Sequence, residues 1–380
     1  MNQRFYLDYN ATAPLRPEVR DAVAGALSLH GNPSSVHAEG RAARSAIEAA
    51  REKVAALAGA RSEDVIFTSG GTEANALALA AQSGGAWHCY LSAIEHPSVL
   101  SGGRFYRETT TTFPVTPDGV ADLKILANEL EKHHLEGWRP FVSLMAANNE
   151  TGAIQPVAEA SKIVHSAGGL LHTDAVQAAG RIRLDMTTLG ADMLSLSAHK
   201  IGGPKGVGAL VLGAGATVEP LIKGGAQERR RRAGTENVAG IVGFGVAAEL
   251  ASADLAKAAA LASFRDELET GARAIAPDAV VLSARVARLP NTTCIAVPGT
   301  KAETLVIGLD LAGVAVSSGS ACSSGKVEAS HVLSAMGVPE EIAQGAIRVS
   351  LGFATERADI ENFLKAFGEL INRLRPRVAA

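Results

Sequence analysis

A chain of 380 residues, 47% hydrophobic, 20% charged and only 4% aromatic, is long enough to bury a large core, and at roughly 150 residues per domain it suggests two domains or one large α/β unit. Thirty-six Lys and Arg against 39 Asp and Glu leave a net charge of −3, which speaks against a broad basic nucleic-acid surface, while 39 glycines, 15 prolines and no low-complexity run exclude collagen-like and disordered classes. Three widely spaced cysteines cannot form a disulfide framework; they suit a reducing compartment and leave open whether one thiol is reactive.

The first residues, MNQRFYLDYNATAP, carry neither a signal-peptide nor a transit pattern. From Arg41 to Leu57, apolar residues recur at helical spacing with charges opposite, which predicts an amphipathic surface helix. Asp64–Thr68 reads as a strand, SGGT as a turn and EANALALAAQ as a helix. Strands are then expected near Trp87–Ser92, Phe141–Ala146, Leu170–Thr173, Met193–Ser197 and Gly208–Leu212, with a helix at Val157–Ala167. Short apolar strands alternating with helices imply a largely parallel, helix-covered sheet. One long helical stretch is expected from Val238 to Ile275, followed by strands at Val280–Leu282, Thr292–Val297 and Val314–Ser317 and a closing helix at Ile360–Leu374. The texture changes near Ala253–Leu255, so we expect a large domain over 14–255, a smaller α+β domain over 256–380 and a joining N-terminal segment 1–13. The longest apolar run, Ile241–Leu250, is broken by Gly243 and Gly245 and falls short of the roughly 20 residues that span a bilayer. No membrane association is expected, and a cytoplasmic location is.

Several clusters carry chemistry. In Ser69-Gly70-Gly71-Thr72-Glu73-Ala74-Asn75, a glycine turn between strand and helix offers unpaired N–H groups at the helix's positive end, an anion site, although an ordinary turn fits the composition equally. Gly243-Phe244-Gly245 lacks the third glycine of a dinucleotide loop. Ser197-Ala198-His199-Lys200 places a lysine at the end of a buried strand. Poor solvation there would lower its pKa and make the amine nucleophilic, and a snorkelling lysine is the plain alternative. Asp174, ending the strand GGLLHT, suits either a helix cap or a partner for a pyridine nitrogen. The polar run Asn148–Gly152 follows another strand, at the kind of strand end where open α/β sheets bind ligands.

In this order the motifs resemble the cysteine desulfurases of the NifS/IscS kind, relatives of the class V aminotransferases that use pyridoxal 5′-phosphate. The matching pieces run from YLDYNATAPLRP through GNPSSVH, FTSGGTEAN, EHPSV, NNETGAIQP, HTDAVQAAG, SAHKIGGPKGVGAL, RAGTEN and SSGSACSSG to IRVSLG, nearly the whole chain in collinear order. The resemblance implies fold type I: a large domain with a mainly parallel seven-stranded sheet and a smaller α+β C-terminal domain. It implies that Lys200 bonds the cofactor covalently and then moves the substrate α-proton, that Asp174 pairs with the ring nitrogen and that Gln177 binds the phenolic oxygen. His96 would stack on the ring and shuttle a proton; Gly71, Thr72, Ser197 and His199 would hold the phosphate. Thr235 would reach the phosphate of a neighbouring subunit in a homodimer, while Asn149 and Arg348 would bind L-cysteine, with Arg348 gripping its α-carboxylate.

Cys89 and Cys294 lie in strand-like runs and read as packing, whereas Cys322 lies in the small, polar SSGSACSSG segment. The resemblance makes Cys322 the thiolate that takes the substrate's sulfur as a persulfide and passes it to an iron–sulfur scaffold or another acceptor protein. A selenocysteine lyase or an aminotransferase of the same fold is the alternative. The chain departs from the family's usual GGGxERGxRSGT at Gly224–Thr235, where Arg229–Arg232 run consecutively. That run reads as a solvated patch, an interface element or a dock for an acidic partner.

Overall fold

The strand, glycine turn and helix of DVIFTSGGTEAN form the unit on which the structure is built. In the computed structural model, which describes residues 4–80, 86–101, 103–134, 137–319 and 330–374, thirteen strands are found among the described residues. They are β1 (Phe5–Tyr6), β2 (Val65–Thr68), β3 (Trp87–Ser92), β4 (Thr110–Phe113), β5 (Arg139–Ser143), β6 (Leu170–Asp174), β7 (Met193–Ser197), β8 (Gly208–Leu212), β9 (Val280–Val281), β10 (Thr292–Ala296), β11 (Val314–Ala315), β12 (Ser317–Ser318) and β13 (Ala346–Ser350).

Seven of them form the main sheet in the order β2-β8-β7-β6-β5-β3-β4. All its pairings are parallel except the two made by β8, which runs antiparallel to β2 and β7. Successive side chains alternate between faces. Phe67, Tyr90, Val142, Leu171 and Leu194 pack on one side, with the helices Ala38–Ala58, Val157–Ser166 and Val238–Ala253; Ile66, Cys89, Leu91, Phe141 and Met193 pack on the other. Helices on both faces explain why these strands read as continuous apolar runs rather than as alternating ones.

The four-stranded sheet β12-β13-β10-β9 is antiparallel, and its core joins the helices Leu255–Ile275, Ala302–Leu311 and Arg357–Leu374. The N-terminus belongs to that core: β1 pairs in parallel with β11, and Phe5 and Leu7 are buried there. The next residues, Asp8–Thr12, therefore cross from the smaller core to the mouth of the main sheet.

Two expectations need correction. The stretch Val238–Ile275 is two helices meeting at 66°, broken at Asp254, whose carboxylate accepts Arg16 Nη1 at 2.7 Å and Lys257 Nζ at 2.9 Å. Val314–Ser317 is not one strand, because β11 pairs with β1 and β12 pairs with β13 in a different sheet. Gly243 and Gly245 lie mid-helix and let it approach its neighbours: a Cβ on Gly245 would sit 2.6 Å from Ala50 Cα. They are packing glycines, not a nucleotide loop. No single helix among the described residues is long and apolar enough to cross a membrane.

Candidate active site

The C-terminal ends of β6 and β7 and the turns after β2, β3 and β5 open onto one cavity of about 260 Å³. Open α/β sheets bind ligands at such strand ends. Of the residues singled out from the sequence, Gly71, Thr72, His96, Asn149, Asp174, Gln177, Ser197, His199 and Lys200 all line it.

Lys200 ends the single turn after β7 and points its Nζ at the carbonyls of Asn10 and Ala11, 2.6 and 2.8 Å away. Burial, with Arg348 and Arg181 nearby, pulls its pKa down to about 7, against the pull of Asp174 and Asp8. At neutral pH about half of this amine is therefore free base, the form that attacks a carbonyl.

Asp174 is 7% exposed. Its Oδ1 accepts the Val176 N–H at 3.0 Å and its Oδ2 accepts Asn75 Nδ2 at 2.7 Å. The same Asn75 amide donates to Ser98 Oγ at 2.9 Å, and Ser98 Oγ lies 2.8 Å from His96 Nδ1. Because His96 Nδ1 also accepts the Ser98 N–H at 3.1 Å, a neutral His96 carries its proton on Nε2. Desolvation in the cleft, helped by Lys200 and His331, lowers the pKa of His96, with Asp174 opposing. Asn75 and Ser98 thus wire Asp174 to His96. The sequence reading did not select either, although Asn75 falls one helical turn after Gly71, on the same face.

Gln177 donates Nε2–H to Asn10 O at 3.0 Å, and its Oε1 accepts Arg181 Nη1 at 2.6 Å. Asn10 is a hub that sequence inspection also missed. Besides accepting from Lys200 and Gln177, it donates Nδ2–H to Asn149 O at 3.1 Å and to Thr292 Oγ1 at 2.9 Å.

At the other end of the cleft, the helix Gly71–Ala78 presents its first N–H groups beside Ser197 and His199. A Cβ on Gly71 would come within 3.0 Å of Val176 Cγ2 and 3.4 Å of Ser197 Cβ, so glycine keeps this cradle open. His199, held 3.1 Å from Thr12 Oγ1, has its pKa pushed down to about 4 by burial and by Lys200, Lys205 and Arg181. It is neutral at pH 7 and offers a hydrogen bond rather than a charge.

The arginine run is not simply solvated. Glu228, Arg229 and Arg230 adopt positive φ angles of 43°, 56° and 66°, held by buried Glu228, which takes Arg51 Nη1 at 2.6 Å, Arg51 Nη2 at 2.8 Å and the Phe67 N–H at 3.0 Å. Arg229 and Arg231 both donate to Glu63 O. Arg232 pairs with both oxygens of Glu73 at 2.9 and 3.3 Å, and Glu73 accepts the Ser69 N–H at 2.7 Å. The run therefore braces the rim of the anion cradle.

Two predicted residues do not line the cavity. Arg348, on β13, is 7% exposed; it donates Nη2–H to Asp8 Oδ1 at 2.8 Å and Nη1–H to Asn149 O at 3.2 Å, while its buried Nε has no hydrogen-bond partner among the described residues. These two bonds use two of the guanidinium's five N–H groups. Thr235 is exposed in a separate depression with Arg232 and Asn237. Cys322 lies outside the described residues. The other two cysteines are fully buried: Cys89 in β3, its thiol pKa raised by burial, and Cys294 in β10, pushed up to about 12 mainly by burial. Neither is a nucleophile. A larger cavity of about 360 Å³ also reaches Lys200; in its lining Asp254 pairs with Arg16 and Lys257, and Arg181 donates to Gln177 and to Tyr9 O.

A buried carboxylate at one end, a desolvated amine in the middle and a cluster of free N–H groups at the other end fit a phosphorylated pyridine aldehyde. The unpartnered buried Asn75 Oδ1 adds an acceptor close to Asp174. Residues 5–363 match the family model described as class V aminotransferase. The chain is 44% identical over 384 residues to "Cysteine desulfurase IscS" of Dictyoglomus turgidum, covering 99% of this chain and 96% of that protein. It is 45% identical over 382 residues to "Cysteine desulfurase" of Cereibacter sphaeroides, covering 98% and 97%. Among solved structures, the NifS-like protein from Rickettsia africae superposes with a TM-score of 0.89 at 37% identity, over 97% of this chain and all of that one.

Proposed function

The chain belongs to the class V aminotransferase family, whose enzymes work with pyridoxal 5′-phosphate, and from that premise we propose that it is a cysteine desulfurase. It converts L-cysteine to L-alanine and leaves the sulfur as a persulfide on Cys322. The observation that carries the reading is the convergence of Lys200, Asp174 and His96 on one cleft that ends in an anion cradle. Its relatives' shared activity and the lone cysteine of the polar SSGSACSSG segment single out sulfur removal among the reactions this fold supports.

When bound, pyridoxal 5′-phosphate supplies an electron sink that acidifies the substrate's α-hydrogen and weakens its Cβ–S bond. The chain's part is to place groups around it. Lys200 would hold the cofactor through its Nζ and, once released, would accept the substrate α-proton at that atom. Asp174 keeps a proton on the ring nitrogen, and Gln177 steadies the phenolic oxygen. Gly71, Thr72, Ser197 and His199 take the phosphate, and Asn149 with Arg348 orients the substrate carboxylate. His96, its Nδ1 occupied by Ser98, offers its Nε2 face to the reacting atoms. The Cys322 thiolate then attacks the substrate sulfur. An S–S bond forms, the Cβ–S bond breaks with its electron pair kept by the carbon skeleton, and that skeleton gains a proton to become alanine.

We further propose a cytoplasmic homodimer that hands sulfur to an iron–sulfur scaffold or another acceptor protein. Leu27 at 72% exposure, and Val36 at 88% within the GNPSSVH motif, are exposed apolar side chains suited to a subunit contact. Thr235, exposed and outside its own cleft, suits a reach into the partner's cradle. The reading is tested with two variants. Lys200→Ala should lose the visible absorbance of bound cofactor together with turnover, while Cys322→Ser should keep the absorbance and lose sulfur release. Undiminished L-cysteine turnover in Cys322→Ser would favour a transaminase or a selenocysteine lyase instead.

A further inference from the structure

The turn that opens the anion cradle is shaped by a negative charge. Glu73 lies in the first turn of the helix Gly71–Ala78 and reaches back so that its Oε2 accepts the Ser69 N–H at 2.7 Å. A carboxylate suits the positive end of a helix, and for the same reason it competes there with any other anion. Glu73 is placed to compete, because it lines the depression over the cradle together with Gly71, Thr72, Ser197, His199 and Lys205 and is the acidic member of that lining. Arg232 answers its charge. The Arg232 Nε–H donates to Glu73 Oε1 at 2.9 Å and the Nη2–H to Oε2 at 3.3 Å, with the Arg232 and Glu73 side chains only 23% and 14% exposed. Burial pushes the Glu73 carboxyl up, but Arg232 and the Ser69 N–H outweigh it and hold the pKa below the usual value, so Glu73 is ionised at neutral pH. Arg232 is fixed in turn by its Nη1–H, which donates to Ala233 O at 3.2 Å.

We propose that the Glu73–Arg232 pair sets the cradle's affinity for phosphate: Glu73 shapes the turn through Ser69, and Arg232 is a positioning residue that cancels the charge this brings beside the phosphate. This rests on the reading of Gly71, Thr72, Ser197 and His199 as the groups that take the cofactor's phosphate. The argument is one of charge balance. The helix N–H groups attract the phosphate, an uncompensated carboxylate in the same turn repels it, and the guanidinium removes that repulsion. In a half-shielded site, losing the guanidinium alone should cost about a factor of ten in affinity, whereas losing both charges leaves no imbalance. Neither side chain contacts the ring or the substrate in this scheme.

The test compares the apoprotein's affinity for pyridoxal 5′-phosphate with that for pyridoxal, which offers the same ring and aldehyde without the phosphate. Both are read from the visible absorbance of the bound compound. For Arg232→Gln we expect pyridoxal 5′-phosphate to bind about tenfold more weakly and pyridoxal to stay within about twofold of the parent, which also certifies that the variant is folded. Arg232→Lys, which keeps the charge, should recover most of the loss. Glu73→Gln keeps an oxygen for the Ser69 N–H and drops the charge, so it should bind pyridoxal 5′-phosphate at least as tightly as the parent. Combining Glu73→Gln with Arg232→Gln should restore affinity to within about threefold of the parent. Equal weakening towards both compounds, no weakening towards either, or a double variant as weak as Arg232→Gln alone overturns the proposal while leaving the cradle reading intact. A parent that binds pyridoxal as tightly as pyridoxal 5′-phosphate overturns the cradle reading, and the proposal with it.

Discussion

Lys200 is where burial becomes chemistry. Its amine titrates near pH 7 because the cleft desolvates it and Arg348 and Arg181 repel its charge. Protonated below that value and free above it, the amine should bind the cofactor faster as pH rises: cofactor uptake by the apoprotein, followed by visible absorbance, should increase about tenfold from pH 6 to pH 7.5 and then level off. A rate flat across that range would mean the amine is not desolvated as described. Asn75 offers a second test. Its amide supplies Asp174 Oδ2 with a hydrogen bond, so Asn75→Ala leaves a buried carboxylate oxygen without its donor, at about 1–3 kcal/mol. Cofactor retention should weaken about tenfold or more in a dilution assay, while Asn75→Asp should be worse because it sets two carboxylates side by side.

The elements explain what could be read from the sequence and what could not. Six strands of the main sheet were legible as short, largely apolar runs, while the edge strand β4, TTTF, was not, because three of its four residues are threonines and only Phe113 is buried. Lys200 and Asp174 stood out because each ends such a run, whereas His96 was marked only by the family resemblance. The texture change near Ala253–Leu255 was read as a boundary but not as a helix break, since LAKAAALA continues the helical composition and the pairing of Asp254 with distant Arg16 leaves no local signal. β11 and β12 were read as one strand because partners distant in sequence decide which sheet each joins. Asn10 and Glu228 escaped notice for the same reason, as their roles depend on groups more than a hundred residues away. The Glu228–Arg51 pair gives a prediction at this scale. Both members are buried, so Glu228→Ala takes from Arg51 its two shortest bonds, leaving it Glu48 and the Val65 carbonyl, and removes the anchor of three positive-φ residues. Urea unfolding should show a loss of about 2–3 kcal/mol. A loss below about 1 kcal/mol would show that the pair is not holding the segment.

Over the whole molecule, the N-terminal crossing is what makes one site from two cores. β1 is held by the smaller core, Asp8 bonds Arg348 and Ser317 there, and Asn10 then meets Lys200, Gln177 and Asn149 at the main sheet. Global stability should also carry a signature of the sheet's buried histidine. His172 lies fully buried between Ser143 and Ser195, and burial lowers its pKa to about 4. Between its unfolded value of about 6.5 and about 4, the unfolded chain binds a proton that the folded chain refuses. The stabilising effect is whole above pH 6.5 and fades as pH falls towards 4. Denaturation at pH 7 and pH 5 should therefore differ by more in the parent than in a folded His172→Gln variant, and equal differences would contradict this.

The central claim is that L-cysteine sulfur is transferred to Cys322. The direct measurement is a single turnover of the cofactor-loaded enzyme with isotopically labelled L-cysteine, trapped by alkylation, digested and mapped by mass spectrometry alongside quantified alanine. The account predicts one labelled persulfide sulfur on the peptide bearing Cys322, in step with alanine, and unmodified Cys89 and Cys294. Alanine formed with no label on Cys322, or label on another cysteine, would contradict it.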